Sequence, residues 1–258
     1  MPTPSPHPES EYGPVLDVAA HALSTQPVLR KLPLPKRASL ALDLTLIALA
    51  CRPGWLVDAV AVQDAERIFA DLLRILQGTH PLFAGVQHLF DPGSQQSFFV
   101  NTALASAADI AADVAFVSLR PNHDPQLLPA PPPAVLAALR ALRTTHALPP
   151  ALTPHTLISL AAVLLGYPVA YAPAADAAAA PFLAQTPLDV YTCAVRPPDA
   201  AWEHTLLKFS CPAGLADAGL APAHIAATLD ARFGPRVRGV GLVLRVGHTT
   251  EVMDRVAL

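Results

Sequence analysis

Apolar residues recur along the chain with two periods, one typical of helices and one typical of strands. Spacings of three and four residues predict helices over residues 39–50, 64–78, 135–142, 156–165 and 221–233. Continuous or alternating apolar runs predict strands over residues 55–62, 86–90, 97–100, 114–119, 188–195, 204–211 and 237–246, with a final strand over 249–258. Helices and strands therefore alternate through most of the chain.

This alternation predicts an α/β fold. The runs at 55–62 and 114–119 are apolar throughout, which is typical of strands in a sheet covered on both faces. We expect a single domain with a mixed sheet, helices on both faces and an antiparallel meander in the C-terminal half. Residues 1–36 are rich in proline and predict a partly disordered N-terminal arm with a short helix, so the α/β domain is expected over 37–258.

The end of the helix at 156–165 has a clear local signal. Gly166 follows it directly and Pro168 comes two residues later. Glycine adopts the left-handed conformation of a helix cap without a Cβ clash, and proline cannot donate the next helical hydrogen bond. The sequence therefore predicts a positive φ at Gly166.

Composition and charge exclude several classes of partner. The chain of 258 residues is 52% hydrophobic and 14% charged, and its net charge is −3. Cations cluster only in adjacent pairs, so we expect no nucleic-acid binding. Gly166 and Pro168 interrupt the longest uncharged stretch, so we expect no membrane span. The chain begins without a signal-peptide pattern and its three cysteines are far apart, which favours a cytoplasmic or nuclear location.

Motifs of known catalytic chemistry are missing from the sequence. It contains no GxGxxG, GxxxxGK[ST], HExxH, CxxC or GxSxG pattern. No metal site is expected and no cofactor or catalytic residue is identified. The leading interpretation is a non-enzymatic binding or scaffold protein with a protein partner, although the residues do not decide whether the chain is an enzyme.

Polar residues near two predicted strand ends support an alternative. Asp58 lies late in the strand 55–62, and Asn122, His123 and Asp124 follow the strand 114–119. Ligands of open α/β sheets bind where the carboxyl ends of neighbouring strands meet. The alternative is therefore a small-ligand-binding protein or an enzyme with a crevice near Asp58 and His123. A hydrogen-bonded strand-end acid and an ordinary solvated loop explain the same residues.

Other side chains are assigned either a ligand-binding or a structural role. Tyr167 precedes Pro168 and is counted among the ligand-binding candidates, although a tyrosine beside a proline turn usually packs. Cys193 and Cys211 have no cation nearby in the sequence to lower a thiol pKa, so we interpret them as buried small hydrophobic residues. His88 is expected at the surface.

Four strings carry a family resemblance. They are LLGYPVAY at 164–171, TPLDVYTCAV at 186–195, LLKFSCP at 206–212 and RVAL at 255–258. With these strings the chain resembles the uncharacterised family that includes the human chromosome 1 open reading frame 74 protein. The resemblance extends over roughly residues 38–258. It implies membership of a family without an assigned function and adds no cofactor or catalytic residue.

Overall fold

The computed structural model describes residues 11–58, 60, 62–106, 110–121, 123–174 and 183–253. Residues 1–10, where disorder is predicted, and the candidate Asn122 lie outside these ranges. No helix within the described ranges has both the length and the apolar composition that a membrane crossing requires.

Helices and strands alternate as the apolar periods predict. The α-helices are α1 (Tyr12–Thr25), α2 (Leu34–Ala48), α3 (Ala65–Thr79), α4 (Thr102–Ala105), α5 (Pro133–Thr145), α6 (Pro154–Leu165) and α7 (Pro222–Gly239). The strands are β1 (Gly54–Leu56), β2 (Val86–Asp91), β3 (Gln96–Asn101), β4 (Ala115–Leu119), β5 (Gln126–Leu127), β6 (Val169–Pro173), β7 (Pro187–Arg196), β8 (His204–Pro212) and β9 (Val243–Val252). The mixed α/β fold class is confirmed.

Within the described ranges the strands form three small sheets, whereas the pattern predicts one mixed sheet. The N-terminal sheet has the antiparallel order β1-β3-β2. The central sheet has the order β5-β4-β6 and is mixed, because β4 pairs antiparallel with β5 and parallel with β6. The C-terminal sheet has the order β8-β7-β9 and is antiparallel, as expected for this half of the chain.

The first predicted strand is much shorter than the apolar run that suggested it. Strand β1 ends at Leu56, and the amide of Asp58 then donates to the carbonyl of Leu56 (3.0 Å) in a tight turn. This turn takes the chain out of the sheet, so the predicted strand over 55–62 is wrong at the described residues 57, 58, 60 and 62. Val60, later in the run, is buried against the helices α1–α3.

The C-terminal boundaries also differ from the prediction. Helix α7 continues through Gly234 and Pro235 to Gly239, so residues 237–239 are helical and the strand begins at Val243. Leu229, Phe233 and Val237 are fully buried at successive helical turns, which explains why the helix continues. Residues 249–252 complete β9 instead of beginning a separate strand.

Apolar side chains of the described residues collect in three clusters. One lies between α1–α3 and the N-terminal sheet, the second between α7 and the C-terminal sheet, and the third around α5, α6 and β4. Helix α1 belongs to the first cluster, and its residues Val15, Ala19 and Leu23 are fully buried. The second part of the predicted N-terminal arm is therefore packed into the fold.

A buried polar cluster joins the first helices to the C-terminal sheet. Arg52 Nη1 donates to Asp43 Oδ1 (2.6 Å), and the ring of His204 on β8 is hydrogen-bonded to the same oxygen (3.0 Å). Arg52 Nε also donates to the carbonyl of Gly54 (2.9 Å). All three side chains of the cluster are buried. Buried charges of this kind require partners, because an unpaired ion inside a protein is strongly destabilising.

The end of α6 is held against β1 by two glycines. Gly166 has φ +79°, as predicted, and its amide donates to Val163 while the amide of Tyr167 donates to Ala162. A Cβ on Gly54 would lie 2.6 Å from the carbonyl oxygen of Leu164, so α6 and β1 approach more closely than a side chain would allow. The close approach places the C-terminal turn of α6 beside the residues that follow β1.

Candidate functional site

A pocket of about 680 Å³ lies where the three sheets meet beside α6. The N-terminal sheet contributes residues at the ends of β1 and β3, the central sheet contributes β6, and the C-terminal sheet contributes all three of its strands. The pocket therefore depends on the assembly of all three sheets. We refer to it below as the α6 pocket.

One wall of the α6 pocket is an apolar helix face. This wall consists of Leu157, Ile158, Ala161, Ala162 and Leu165. Other residues of α6, such as Leu160 and Val163, are fully buried in the third apolar cluster. A helix that is apolar all round requires cover on more than one side, and α6 has the core on one side and the pocket on the other.

The aromatic residues Tyr167, Tyr171 and Phe209 form another part of the pocket lining. The ring of Tyr167 stacks on Phe209 with centroids 5.6 Å apart, and Phe209 stacks on Tyr191 at 5.0 Å. The hydroxyl of Tyr171 donates to the carbonyl of Ser210 (3.0 Å), which ties β6 to β8. Ser159 on α6 donates to the carbonyl of Tyr171 (2.7 Å). These contacts hold the aromatic wall in place relative to α6.

The rim of the pocket is charged. Asp58, Lys208 and Glu251 all line the pocket and are solvent-exposed. Tyr167 lies within electrostatic range of Asp58 and of the buried Arg52. Burial raises the pKa of the Tyr167 phenol, and the positive charge of Arg52 opposes that shift. The phenol therefore keeps its proton at neutral pH and can donate a hydrogen bond.

Arg52 is buried within electrostatic range of Tyr167 and Asp58. Burial lowers the pKa of its guanidinium, while the negative charge of Asp43 raises it, followed by smaller effects of Tyr167 and Asp58. Arg52 does not line the pocket. The charge of Arg52 is balanced mainly by Asp43, so the carboxylate of Asp58 remains available to bind a ligand at the rim.

The structure brings together some of the residues singled out from the sequence. Asp58 and Tyr167 both line the α6 pocket. His123 and Asp124 are exposed in the loop before β5 and do not line it. The predicted adjacency of the two strand ends fails, since β1 and β4 belong to different sheets.

Several lining residues were not identified from the sequence. Lys208, Phe209 and Ser210 lie on β8, and Glu251 lies on β9, far from Asp58 along the chain. Only the α6 wall carries a local signal, since residues 157–165 lack the polar face of a surface helix. Strand pairing brings the β-strand residues into the site, and the local periodicity of the sequence does not show which strands pair.

Cysteine and histidine environments test the remaining interpretations. Cys193 and Cys211 are free and buried, and burial raises the pKa of each thiol to about 12. Both are therefore protonated at neutral pH and suit packing, as predicted, because the thiolate is the nucleophilic form.

The predicted surface position of His88 is wrong: its ring is half-buried against Phe69 and Phe99. Among the described residues, no group of three histidine, cysteine or acidic side chains is arranged to hold a metal ion.

A family profile matches part of the chain. Residues 146–224 match the family profile of a domain of unknown function (DUF4504). Within these residues the match confirms the predicted resemblance to a domain family without an assigned function, and it includes α6, β6, β7 and β8. Searches of curated proteins and of solved structures gave no match.

Proposed function

We propose that the chain is a non-enzymatic binding protein whose α6 pocket takes an amphipathic small molecule. The observation that carries this proposal is the pocket itself, about 680 Å³ in volume with an apolar wall and a polar rim. Pockets of several hundred Å³ with a few convergent polar groups are typical of small-molecule sites. The matched domain supplies most of the pocket wall, which further supports a role for the site.

The lining indicates the chemistry of the ligand. The α6 face and the ring of Phe209 favour an apolar or aromatic body. At the rim, the carboxylates of Asp58 and Glu251 outnumber the ammonium of Lys208. We therefore expect a ligand with an amine or another hydrogen-bond donor at one end. The hydroxyl of Tyr167 supplies a donor for a polar group close to Asp58.

The side chains in the pocket favour binding over catalysis. A general acid–base residue requires a pKa near the working pH. The tyrosines Tyr167 and Tyr171 both have pKa values raised by burial, so neither is poised to exchange a proton at neutral pH. The pairing of Asp58 with His123 that an enzyme would use has no support from the pocket lining. We place this binding function inside the cell, since the cysteines are free thiols.

Thermal unfolding with a panel of metabolites tests the proposal. A ligand at about a hundred times its dissociation constant adds about 2.7 kcal/mol to stability. For a domain of this size we expect this to raise the melting temperature by roughly 5–10 °C. Amphipathic amines should give the largest shifts, and neutral polar compounds should give none.

Three variants locate the binding site. Ala161→Phe fills the pocket from α6 and should abolish the shift, while Asp58→Asn should weaken binding about tenfold through loss of one charged hydrogen bond. Asp124→Asn, a change at an exposed acid outside the pocket, is the matched control and should bind as the unmodified protein does. A ligand shift that survives Ala161→Phe would exclude the α6 pocket as the site.

A further inference from the structure

The outer side of β9 is an open sheet edge. Strand β9 is ten residues long and stands last in the order β8-β7-β9, so no described strand pairs with its outer side. It is largely exposed, including Val243 at 38% and Val252 at 58%. Long exposed edges present unpaired backbone N–H and C=O groups, and proteins usually cover or block them. Strand β9 contains no proline or lysine that would block such pairing.

We propose that β9 is a homodimer interface at which two copies of this chain pair antiparallel. The two C-terminal sheets would join across a two-fold axis into one continuous sheet of six strands. Backbone hydrogen bonds across the axis would satisfy the open edge of both copies. The same surface patch is used twice, as two-fold symmetry requires.

Symmetry limits the register of this pairing. A two-fold axis perpendicular to the sheet keeps every side chain on its own face of the sheet. Side chains alternate between the two faces along a strand, so two residues that face each other across the axis must differ by an even number of positions. The two registers with the longest overlap are centred on Gly247 and on His248. The side chains of β9 distinguish between these two registers.

Charge complementarity selects the register centred on His248. In that register Arg245 of each copy faces Glu251 of the other, so two ion pairs form across the axis. Leu244 faces Val252, which places apolar side chains together. In the register centred on Gly247, Val243 would instead face Glu251 and Arg245 would lack an acidic partner on β9. A second copy therefore fits this edge in one register.

The charged groups are exposed and keep hydrogen-bonding capacity for these contacts beyond their present partners. Arg245 donates to Glu203 (3.1 Å) with its side chain 72% exposed, and a guanidinium has further donors. Glu251 accepts from Thr249 (2.9 Å) and is exposed. His248, on the axis, is directed into its own chain by its hydrogen bond to Asp189 (3.0 Å). Arg245 of the second copy would lie beside Glu251 at the rim of the α6 pocket.

Sedimentation equilibrium of the full chain without ligand tests the interface. A strand-only contact is small, so we expect a dissociation constant in the micromolar range. Arg245→Glu and Glu251→Arg each place like charges opposite one another and should weaken the dimer about tenfold. The double variant R245E/E251R restores opposite charges across the axis and should return close to the original constant. The measurement is made without ligand, so this result can be judged separately from the proposed ligand binding.

A control variant completes this set of charge reversals, and some results would contradict the proposed dimer. Arg74→Glu reverses a similarly exposed arginine on α3 (75% exposed) and should leave the dimer unchanged. If Arg245→Glu fails to fold, judged by its melting temperature, Glu251→Arg alone serves as the test. A chain that stays monomeric at every concentration overturns the interface. A dimer that neither single reversal weakens, or that the double variant does not recover, overturns the proposed pairing of β9.

Discussion

His88 illustrates how the tertiary environment of one side chain sets its chemistry. It lies on β2, where its ring contacts the rings of Phe69 at 5.9 Å and Phe99 at 5.3 Å between centroids. Its Nε2 is buried and has no hydrogen-bond partner among the described residues. Burial lowers the pKa of His88 from 6.5 to about 4, because the charged ring would lose its hydration without gaining a partner.

This depressed pKa predicts a loss of stability in acid. Below pH 6.5 the unfolded chain binds a proton at His88, whereas the folded chain binds it only near pH 4. Stability should therefore fall as the pH drops through this window, by up to about 3 kcal/mol. Urea unfolding of His88→Phe should lack this part of the pH dependence. His21→Gln, a change at an exposed histidine, should retain it. Equal pH profiles for the unmodified protein and His88→Phe would contradict the assignment.

At the scale of elements, the C-terminal cap of α6 fixes where the helix stops. The paired hydrogen bonds from Gly166 and Tyr167 close its last turn, and the chain then enters β6. A Cβ on Gly166 would lie 2.7 Å from Cγ of Pro53, in addition to the strain of its φ of +79°. The cap therefore has both a conformational and a steric requirement for glycine.

These two requirements can be separated with a second glycine. Gly166→Ala should lower the free energy of unfolding by about 2–4 kcal/mol, since it adds overpacking to backbone strain. Gly219 has φ +95°, but a Cβ added there would meet nothing within 4 Å, so Gly219→Ala should lose only about 1 kcal/mol. Urea denaturation measures both changes. Equal losses in the two variants would mean that Pro53 moves aside without a penalty.

At the scale of the whole molecule, the buried cluster of Asp43, Arg52 and His204 connects parts that are distant in the chain. Asp43 belongs to α2 and His204 to β8, and one carboxylate oxygen of Asp43 links the first apolar helices to the C-terminal sheet. Arg52 is only 4% exposed. The three groups satisfy one another, so removing one leaves a buried polar group without its partner.

Removing the carboxylate should therefore destabilise the protein. Asp43→Asn keeps the shape of the side chain but leaves Arg52 as an uncompensated buried cation, and we expect a loss of about 3 kcal/mol or more. Asp71→Asn removes an acid that pairs with Arg67 and Arg74 on the surface of α3, and it should lose less than about 1 kcal/mol. Chemical denaturation compares the two variants. Similar losses would show that the buried cluster contributes no more than a surface ion pair.

The α6 pocket is also a property of the whole molecule. Its lining comes from residues between Leu56 and Met253, spread over the N-terminal, central and C-terminal sheets. Each of these sheets has three strands within the described ranges, and each supplies only part of the pocket lining. The site is therefore expected to be sensitive to changes that loosen the packing between sheets, including changes far from the lining residues.

Local signals in the sequence determined the individual elements. The leucine spacing of α2 and α3, the hairpin of β2 and β3, and the glycine cap of α6 all follow from interactions between residues close in the chain. The cap of α4 is equally local, because the side chain of Asn101 accepts from the amide of Leu104. Burial of Cys193 and Cys211 followed from their apolar surroundings and from the lack of a nearby cation. Such features require only a few neighbours along the chain.

The tertiary structure alone decided how these elements combine. An apolar run does not specify its partner strand, so the separation of β1 from β4 into different sheets could not be predicted from composition or periodicity. The parallel pairing of β4 with β6 spans the loop and helices between them, and the partners of Asp58 at the pocket rim come from β8 and β9. Asp58 and Tyr167 meet in the pocket while His123 remains outside, because strand pairing brings together residues that have no local relationship in the sequence.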